Sequence, residues 1–326
     1  LVLLAILLCL TVAVPTAVAT AEEIEVYLGG THIGVDMVED GLVVMGFGNV
    51  PTPIGERCPA KEGGVEVGDV LYAIDGEPVR TRYDVERAVA AAGGLPVLVG
   101  LYRNGTNVER TVTPIESADG YLMGVYLKDG IQGVGTLTFV RADRRFAALG
   151  HGIEDPDTGK LATPYRAKAY AADINSIVKG ATGRPGELQG AVGEGRPIGT
   201  VEANTDLGIY GVADPAMYEH LPKVKVARRN EVEVGDAVIV TTLMGDKPRY
   251  YAVKITQCRR QNEPQQKGLS ITVVDQRLLD KTGGIVQGMS GSPILQNGRL
   301  VGAVTHVTVD QPTMGYGVYI DFMLQG

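Results

Sequence analysis

Thr282-Gly-Gly-Ile-Val-Gln-Gly-Met-Ser-Gly-Ser-Pro-Ile-Leu-Gln-Asn-Gly-Arg-Leu-Val-Gly-Ala-Val304 is the stretch on which the reading of this chain turns. At its centre Gly288-Met289-Ser290-Gly291-Ser292-Pro293 sets a serine among glycines, followed by the β-type pair Ile294-Leu295 and the turn Asn297-Gly298. A nucleophilic hydroxyl must stand on a tight turn, with backbone N–H groups aimed where a tetrahedral oxyanion forms, and flanking glycines permit that path. Ser290 is the expected nucleophile, and the amides of Gly288 and Ser290 are the expected oxyanion donors. A nucleophile elbow of the Gly-x-Ser-x-Gly kind leads into a helix. Here the fifth position is Ser292 and Pro293 opens a strand, which disfavours that architecture.

The order of serine turn, strand, Asn-Gly turn and strand resembles the nucleophile segment of chymotrypsin-like double-barrel proteases. Such a site needs a histidine at the end of a strand in the first barrel. Phe146-Ala-Ala-Leu-Gly-His-Gly-Ile153 supplies His151 between two glycines after an apolar run. His306, on the expected strand Leu300–Val307, reads as lining the substrate pocket together with Thr305 and Gln287, and His220 as a polar-loop residue. The acid that orients His151 and stabilises its imidazolium is open between two residues. Asp206, in Asn204-Thr-Asp-Leu-Gly-Ile209, has the form of a first-barrel acid before a strand, whereas Asp275 lies fifteen residues before Ser290.

Length and composition frame this reading. The 326 residues suggest two domains at ~100–200 residues each. With 44% apolar and 21% charged residues the chain can bury a core, so disorder is excluded. A net charge of −8 and the absence of any basic run remove the footprint of a nucleic-acid binder. Leu1–Ala21 carries no charge and ends in Ala19-Thr20-Ala21 before Glu22, the pattern of a cleaved secretory signal, with an uncleaved membrane anchor as the alternative. Cys9, Cys58 and Cys258 do not form a disulfide framework; export permits a Cys58–Cys258 bridge, but buried free thiols are the favoured reading. The four histidines show no metal-ligand spacing, and neither metal nor cofactor is expected.

Between the signal and the expected linker Glu116–Gly120, residues 22–115 read as one compact unit. Thr81-Arg-Tyr-Asp84 has the form of a capping box. Val85, Ala88, Val89 and Ala92 recur at helical spacing, Gly93-Gly94 stops the helix, and Asn104-Gly105 joins a hairpin. With Gly29-Gly-Thr-His-Ile-Gly-Val35, Cys58-Pro-Ala-Lys-Glu-Gly-Gly-Val-Glu-Val-Gly-Asp-Val-Leu71 and Ile74-Asp-Gly-Glu-Pro78, this unit resembles a PDZ domain of bacterial secreted proteases. Ile33, Gly34 and Val35 are then the expected peptide-carboxylate loop, or else an ordinary turn feeding a buried strand, with His32 a partly exposed neighbour. Residues 121–326 are almost wholly β-like, with one short helix expected at Pro215–Leu221, as two packed barrels require.

Four segments extend the resemblance over nearly the whole chain: Gly150-His-Gly152, Lys179–Leu188, Glu202–Gly211 and Asp275–Ile294. The chain is similar to the stage IV sporulation protein B serine peptidases of endospore-forming bacteria, and Asp275 matches the acidic position of their motif, which makes Asp275 the expected acid and Asp206 the reserve. That resemblance implies a mainly β chain with an N-terminal hydrophobic segment, a PDZ domain and a chymotrypsin-like peptidase domain. It implies an exported enzyme, acting in the intermembrane space of the developing spore, that cuts its own N-terminal segment and clips a membrane-bound regulatory protein. The competing class is a non-enzymatic PDZ adaptor on a pseudoprotease scaffold, against which the pairing of His151 with Ser290 argues.

Overall fold

The computed structural model describes residues 23–118, 120–128, 130–156, 159–193, 195–245 and 247–326. The expected signal or anchor, 1–21, lies outside the described residues. Most of the rest is antiparallel strand, arranged as a small α/β unit and two larger β units, which agrees with the mainly β, PDZ-plus-double-barrel expectation.

Strands Gly235–Thr241, Arg249–Cys258, Leu269–Val273, Gln311–Tyr319, Arg299–Thr308 and Pro293–Gln296 pair in that order and close a six-stranded barrel. Alternation drives its closure: Tyr251, Val253 and Ile255 point inward beside Leu269, Ile271 and Val273, all 3% exposed or less, while the intervening residues of Arg249–Cys258 face out. A helix not foreseen from the sequence, Gln276–Thr282, leaves this barrel after Val273 and is capped by Asp275.

The other large unit is also a ring. Strands Arg145–Ala148, Gly208–Ala213, Gly199–Thr205, Pro164–Val178, His32–Glu39 and Ile131–Arg141 pair in sequence, and Ile131–Arg141 pairs back to Arg145–Ala148. Its core holds Ile33, Val35, Met37, Leu137, Phe146 and Ile209. The ring thus contains a strand that the expected bounds 22–115 place in the PDZ unit. Ile33 and Val35 are each 1% exposed, and a Cβ on Gly34 would meet the Val192 side chain at 2.7 Å. Ile33, Gly34 and Val35 therefore form no peptide-binding loop. The period-2 repeat Ile33, Val35, Met37 buries one face against the barrel core, and each such side chain contributes about 1.5–3 kcal/mol on burial. His32, at 5% exposed, is buried rather than partly exposed.

The PDZ unit lies between these two ring strands in the chain. Its sheet runs Val125–Lys128, Leu42–Phe47, Val70–Ile74, Val97–Arg103, Thr106–Val112. The boundaries 22–115 and 116–120 thus shift: the unit begins after Glu39 and ends with Val125–Lys128, beyond the expected linker. Its local signals hold. Thr81 and Asp84 form a reciprocal capping box on Arg82–Ala92, Gly93 ends it in the left-handed conformation, and Asn104-Gly105 turns the hairpin. Asp69, 1% exposed, accepts from the Glu66 amide at 2.8 Å and from Arg103 Nε and Nη2 at 2.6 and 2.7 Å, so the buried charge is paired. Cys58 and Cys258 are free thiols, and Cys58 Sγ lies 3.2 Å from the Gly124 carbonyl. Among the described residues no helix is long and apolar enough to cross a membrane.

Candidate active site

Ser290 stands on the turn between the helix Gln276–Thr282 and the strand Pro293–Gln296 of the second barrel. The turn needs glycine twice: Gly288 and Gly291 have φ of +92° and +93°, and a Cβ at 291 would lie 2.1 Å from the Thr136 carbonyl oxygen and 2.5 Å from the Leu149 amide. Position 291 is where the serine turn presses on the first barrel. The turn is pinned by Gly291 N–H to Val304 O at 2.7 Å and Ser292 N–H to Met289 O at 2.9 Å. Among the described residues, the Gly288 and Ser290 amides donate to no acceptor, which leaves both open to an oxyanion.

His151 follows the first-barrel strand Arg145–Ala148 through a bend in which Leu149 and Gly150 both have positive φ. That bend turns the histidine onto the second barrel. A Cβ on Gly150 would lie 3.1 Å from both the Val304 carbonyl and Thr305 Cγ2, and the His151 ring packs on the His306 ring with centroids 5.2 Å apart. Ser290 Oγ donates to the Thr305 carbonyl at 2.8 Å. The serine and the histidine, 139 positions apart, thus rest on consecutive residues of one strand, Thr305 and His306. His151 Nδ1 lies 2.8 Å from the Gly152 carbonyl, so that nitrogen carries the proton and the neutral ring keeps its lone pair on Nε2, the form a general base requires.

The expected acids fare differently. Asp275 is the N-cap of Gln276–Thr282: Oδ1 accepts from the Arg277 amide and Nε, both at 3.0 Å, and Oδ2 from Arg277 Nη2 at 2.7 Å and the Ala252 amide at 3.0 Å. The Arg277 bonds, with the Ala252 amide, draw its carboxyl down to about 2. Its oxygens are taken up by these donors, and the structure does not bring Asp275 to His151. Asp206 stands closer, on the hairpin between Gly199–Thr205 and Gly208–Ala213, with an exposed side chain. That hairpin lies against the histidine loop, since a Cβ on Gly152 would be 2.7 Å from the Thr205 carbonyl.

Three further residues shape the site and were not singled out from sequence. Asn204 grips the histidine loop by accepting from the Ile153 amide and donating to the Ile153 and Ala162 carbonyls, each at 2.8 Å. Thr136 Oγ1 donates to the Gly288 carbonyl at 2.9 Å, and Thr138 Oγ1 to the Gly291 carbonyl at 2.8 Å. The asparagine at 204 was visible as part of Asn-Thr-Asp, but threonines inside a strand carry no mark of a contact 150 residues away.

Of the expected pocket residues, Gln287 lines a groove of about 960 Å³ beside Gly288, whose other walls include Glu187–Val192 and Gln132. Thr305 is buried and donates to the Gln266 carbonyl at 3.0 Å; Gln266 Nε2 in turn donates to the Asp206 carbonyl at 2.6 Å. His306 is half-buried, and its Nδ1 has no hydrogen-bond partner among the described residues. Burial first, then the neighbouring His151 and Lys267, push the His306 imidazole down to about 4. Among the described residues no group of three or more His, Cys, Asp or Glu side chains is placed to hold a metal.

The PDZ unit has a cavity elsewhere than at Ile33–Val35. Helix Arg82–Ala92 faces the segment Tyr121–Leu127 across a cavity of about 300 Å³ whose apolar walls include Val85, Val89, Leu122, Met123 and Val125. Among the described residues strand Val125–Lys128 pairs with Leu42–Phe47 on one side only, which leaves an edge beside the helix.

Among solved structures the chain is similar to the Rv3671c protease from M. tuberculosis in its active form, at 18% identity and a TM-score of 0.36 over 60% of this chain and 72% of that one. It is similar also to the HtrA-type protease AlgW with decapeptide, at 13% identity and a TM-score of 0.35 over 64% and 56%. Two curated relatives carry the name of a zinc metalloprotease. That of Rhizobium meliloti is 34% identical over 24% of this chain and 21% of its own length, and that of Agrobacterium fabrum 36% identical over 27% and 23%. The chain therefore spans less than a quarter of either relative. A PDZ-domain family model matches residues 52–103. The model of the SpoIVB peptidase S55 family matches residues 119–324, which is more than half of the chain and contains both His151 and Ser290, and the chain belongs to that family of serine peptidases.

Proposed function

We propose that this serine peptidase is an exported endopeptidase in which Ser290 attacks the peptide carbonyl and His151 is the general base. The observation that supports it is the convergence of the two side chains on Thr305 and His306. In the conformation described, the serine proton is directed at the Thr305 carbonyl. Attack needs a rotation of Oγ toward His151 Nε2, which then takes the proton as Oγ bonds to the carbonyl carbon. The Gly288 and Ser290 amides receive the oxyanion, His151 returns the proton to the departing amine, and water, deprotonated by His151, releases the acyl group. The acid that steadies His151 is proposed to be an aspartate, Asp275 by its place in the family motif or Asp206 by its place beside the histidine loop.

The family adds the finer reading. The enzyme cuts its own N-terminal segment and, in the intermembrane space of the developing spore, clips a membrane-bound regulatory protein of a sporulation signalling pathway. The PDZ groove between Arg82–Ala92 and Val125–Lys128 captures a peptide end, from the substrate or from the processed enzyme itself. The test is purified Ser290→Ala protein beside the parent, with self-cleavage followed by mass and Ser290 challenged with a fluorophosphonate. The parent is expected to be cut and labelled; loss of the nucleophile removes about 10⁶ in turnover in a serine protease. A variant that processes as fast as the parent would overturn Ser290 as the nucleophile, and a processed parent that takes no label would instead make the chain a PDZ adaptor.

A further inference from the structure

We propose that Thr136 is a positioning residue for the oxyanion-forming turn, and that His32 braces it; the inference rests on the catalytic reading of Ser290. Thr136 is fully buried on the strand Ile131–Arg141, opposite His32 in register. Three of its groups hold the two catalytic loops. Its amide donates to the Ser290 carbonyl at 2.9 Å, its carbonyl accepts from the Leu149 amide at 3.1 Å, and its hydroxyl donates to the Gly288 carbonyl at 2.9 Å.

The geometry explains why the hydroxyl bears on chemistry. In a planar trans peptide the N–H points opposite to the preceding C=O, so holding that oxygen aims the amide. The Leu188 amide holds the Gln287 carbonyl at 2.9 Å and thereby aims the Gly288 N–H. The next carbonyl, that of Gly288, is held by Thr136 Oγ1. Glycine at φ +92° has no Cβ to oppose rotation, so without that bond the Gly288–Met289 peptide, which links the two oxyanion-donating peptides, keeps only the 3.2 Å bond from the Met289 amide to the Val286 carbonyl among the described residues, and their convergence loosens.

The brace lies behind the hydroxyl. His32 Nε2 meets the Thr242 carbonyl, a contact that requires this nitrogen to be the donor. The Thr242 hydroxyl donates in turn to the Gly30 carbonyl at 3.0 Å. His32 Nδ1, bare in that tautomer, lies 3.4 Å from Thr136 Oγ1 with no hydrogen between them, because the hydroxyl proton goes to Gly288; the ring braces Thr136 by packing against it and not by a hydrogen bond. The chain of contacts runs from the second barrel through His32 and Thr136 to Gly288.

The experiment uses the full chain, hydrolysis of fluorescein-labelled casein to separate kcat from KM, and the rate of fluorophosphonate labelling. Thr136→Val keeps the side-chain shape without the hydroxyl and is expected to lower kcat and labelling about 10²-fold, the scale of one lost oxyanion donor, at nearly unchanged KM. Thr136→Ser restores the hydroxyl and most of the turnover. His32→Gln lowers kcat in the parent and adds nothing in the Thr136→Val background. Parental kcat in Thr136→Val, or a His32→Gln loss that multiplies with it, overturns the proposal. Thermal melting accompanies each assay; should Thr136→Val melt below the assay temperature, His32→Gln and Thr136→Ser carry the test. Ser290→Ala separates the two levels: an active Ser290→Ala defeats the catalytic reading, whereas an inactive Ser290→Ala beside a fully active Thr136→Val defeats the clamp alone.

Discussion

The two barrels have the same number of strands in the ring, yet the chain builds them differently. The serine-bearing barrel takes its six strands from one continuous stretch, Gly235 to Tyr319. The histidine-bearing ring takes His32–Glu39 from one side of the PDZ unit and its other five strands from Ile131 onward. The PDZ unit is thus an insertion between two ring strands that pair with each other, Met37 opposite Ile131. It leaves the N-terminal strand to the peptidase and completes its own sheet with Val125–Lys128. The contrast teaches that order along the chain is a poor guide to domain membership where an edge strand can serve either neighbour.

Excision offers the harshest way to break this contrast. Replacing residues 40–128 by a short glycine-containing turn should leave a folded, cooperatively melting double barrel, because a tight hairpin can join adjacent antiparallel strands. Deleting 22–115 instead removes His32–Glu39, opens the ring and exposes Leu137 and Phe146 of its core, so that protein should be insoluble or should melt without cooperativity. Equal folding of the two deletions, measured by circular dichroism melting, would refute the insertion.

The acids sharpen the same comparison, one sitting in each barrel. Loss of a functional triad acid costs about 10⁴ in turnover. The hairpin against the histidine loop belongs to the first ring, so Asp206→Asn is expected to cost more turnover than Asp275→Asn when both are assayed below their melting temperatures. The reverse order would mean that Asp275 leaves Arg277 and reaches His151 during catalysis.

The smallest expected effect is on stability. The Asp275 carboxyl is held at about 2, below its ordinary range near 3.9. A depressed folded-state value gives stability that is complete above the unfolded value and is lost as pH falls through the folded one. Asp275→Asn keeps the cap but loses the charge-assisted Arg277 bonds of a partly exposed pair, and should therefore destabilise by about 1–2 kcal/mol at neutral pH, with the gap to the parent narrowing between pH 4 and about pH 2. A gap constant over that range in denaturant titrations would remove the charged pair with Arg277 as its cause.

Local chemistry was legible wherever neighbours in sequence are neighbours in space. The capping box at Thr81 and Asp84, the Asn104-Gly105 turn and the glycines around Ser290 each state their geometry within a few residues, because turns and caps are closed by bonds three or four positions apart. The helix after Asp275 was missed although its cap is local, since seven residues hold too few turns to show a period.

By itself the sequence determined the residue chemistry: a serine on a glycine turn and a histidine at a strand tip; the alternating Ile33, Val35 and Met37, the first two expected in a peptide-binding loop or a turn feeding a buried strand, form one buried face of His32–Glu39. The sequence could not say against what that face is buried, because alternation specifies a face and no partner. Only the tertiary structure decided that this strand closes the histidine barrel and that a buried threonine holds the serine turn. Each of those outcomes is a pairing between distant segments, and backbone hydrogen bonds across strands are blind to the side chains that form them.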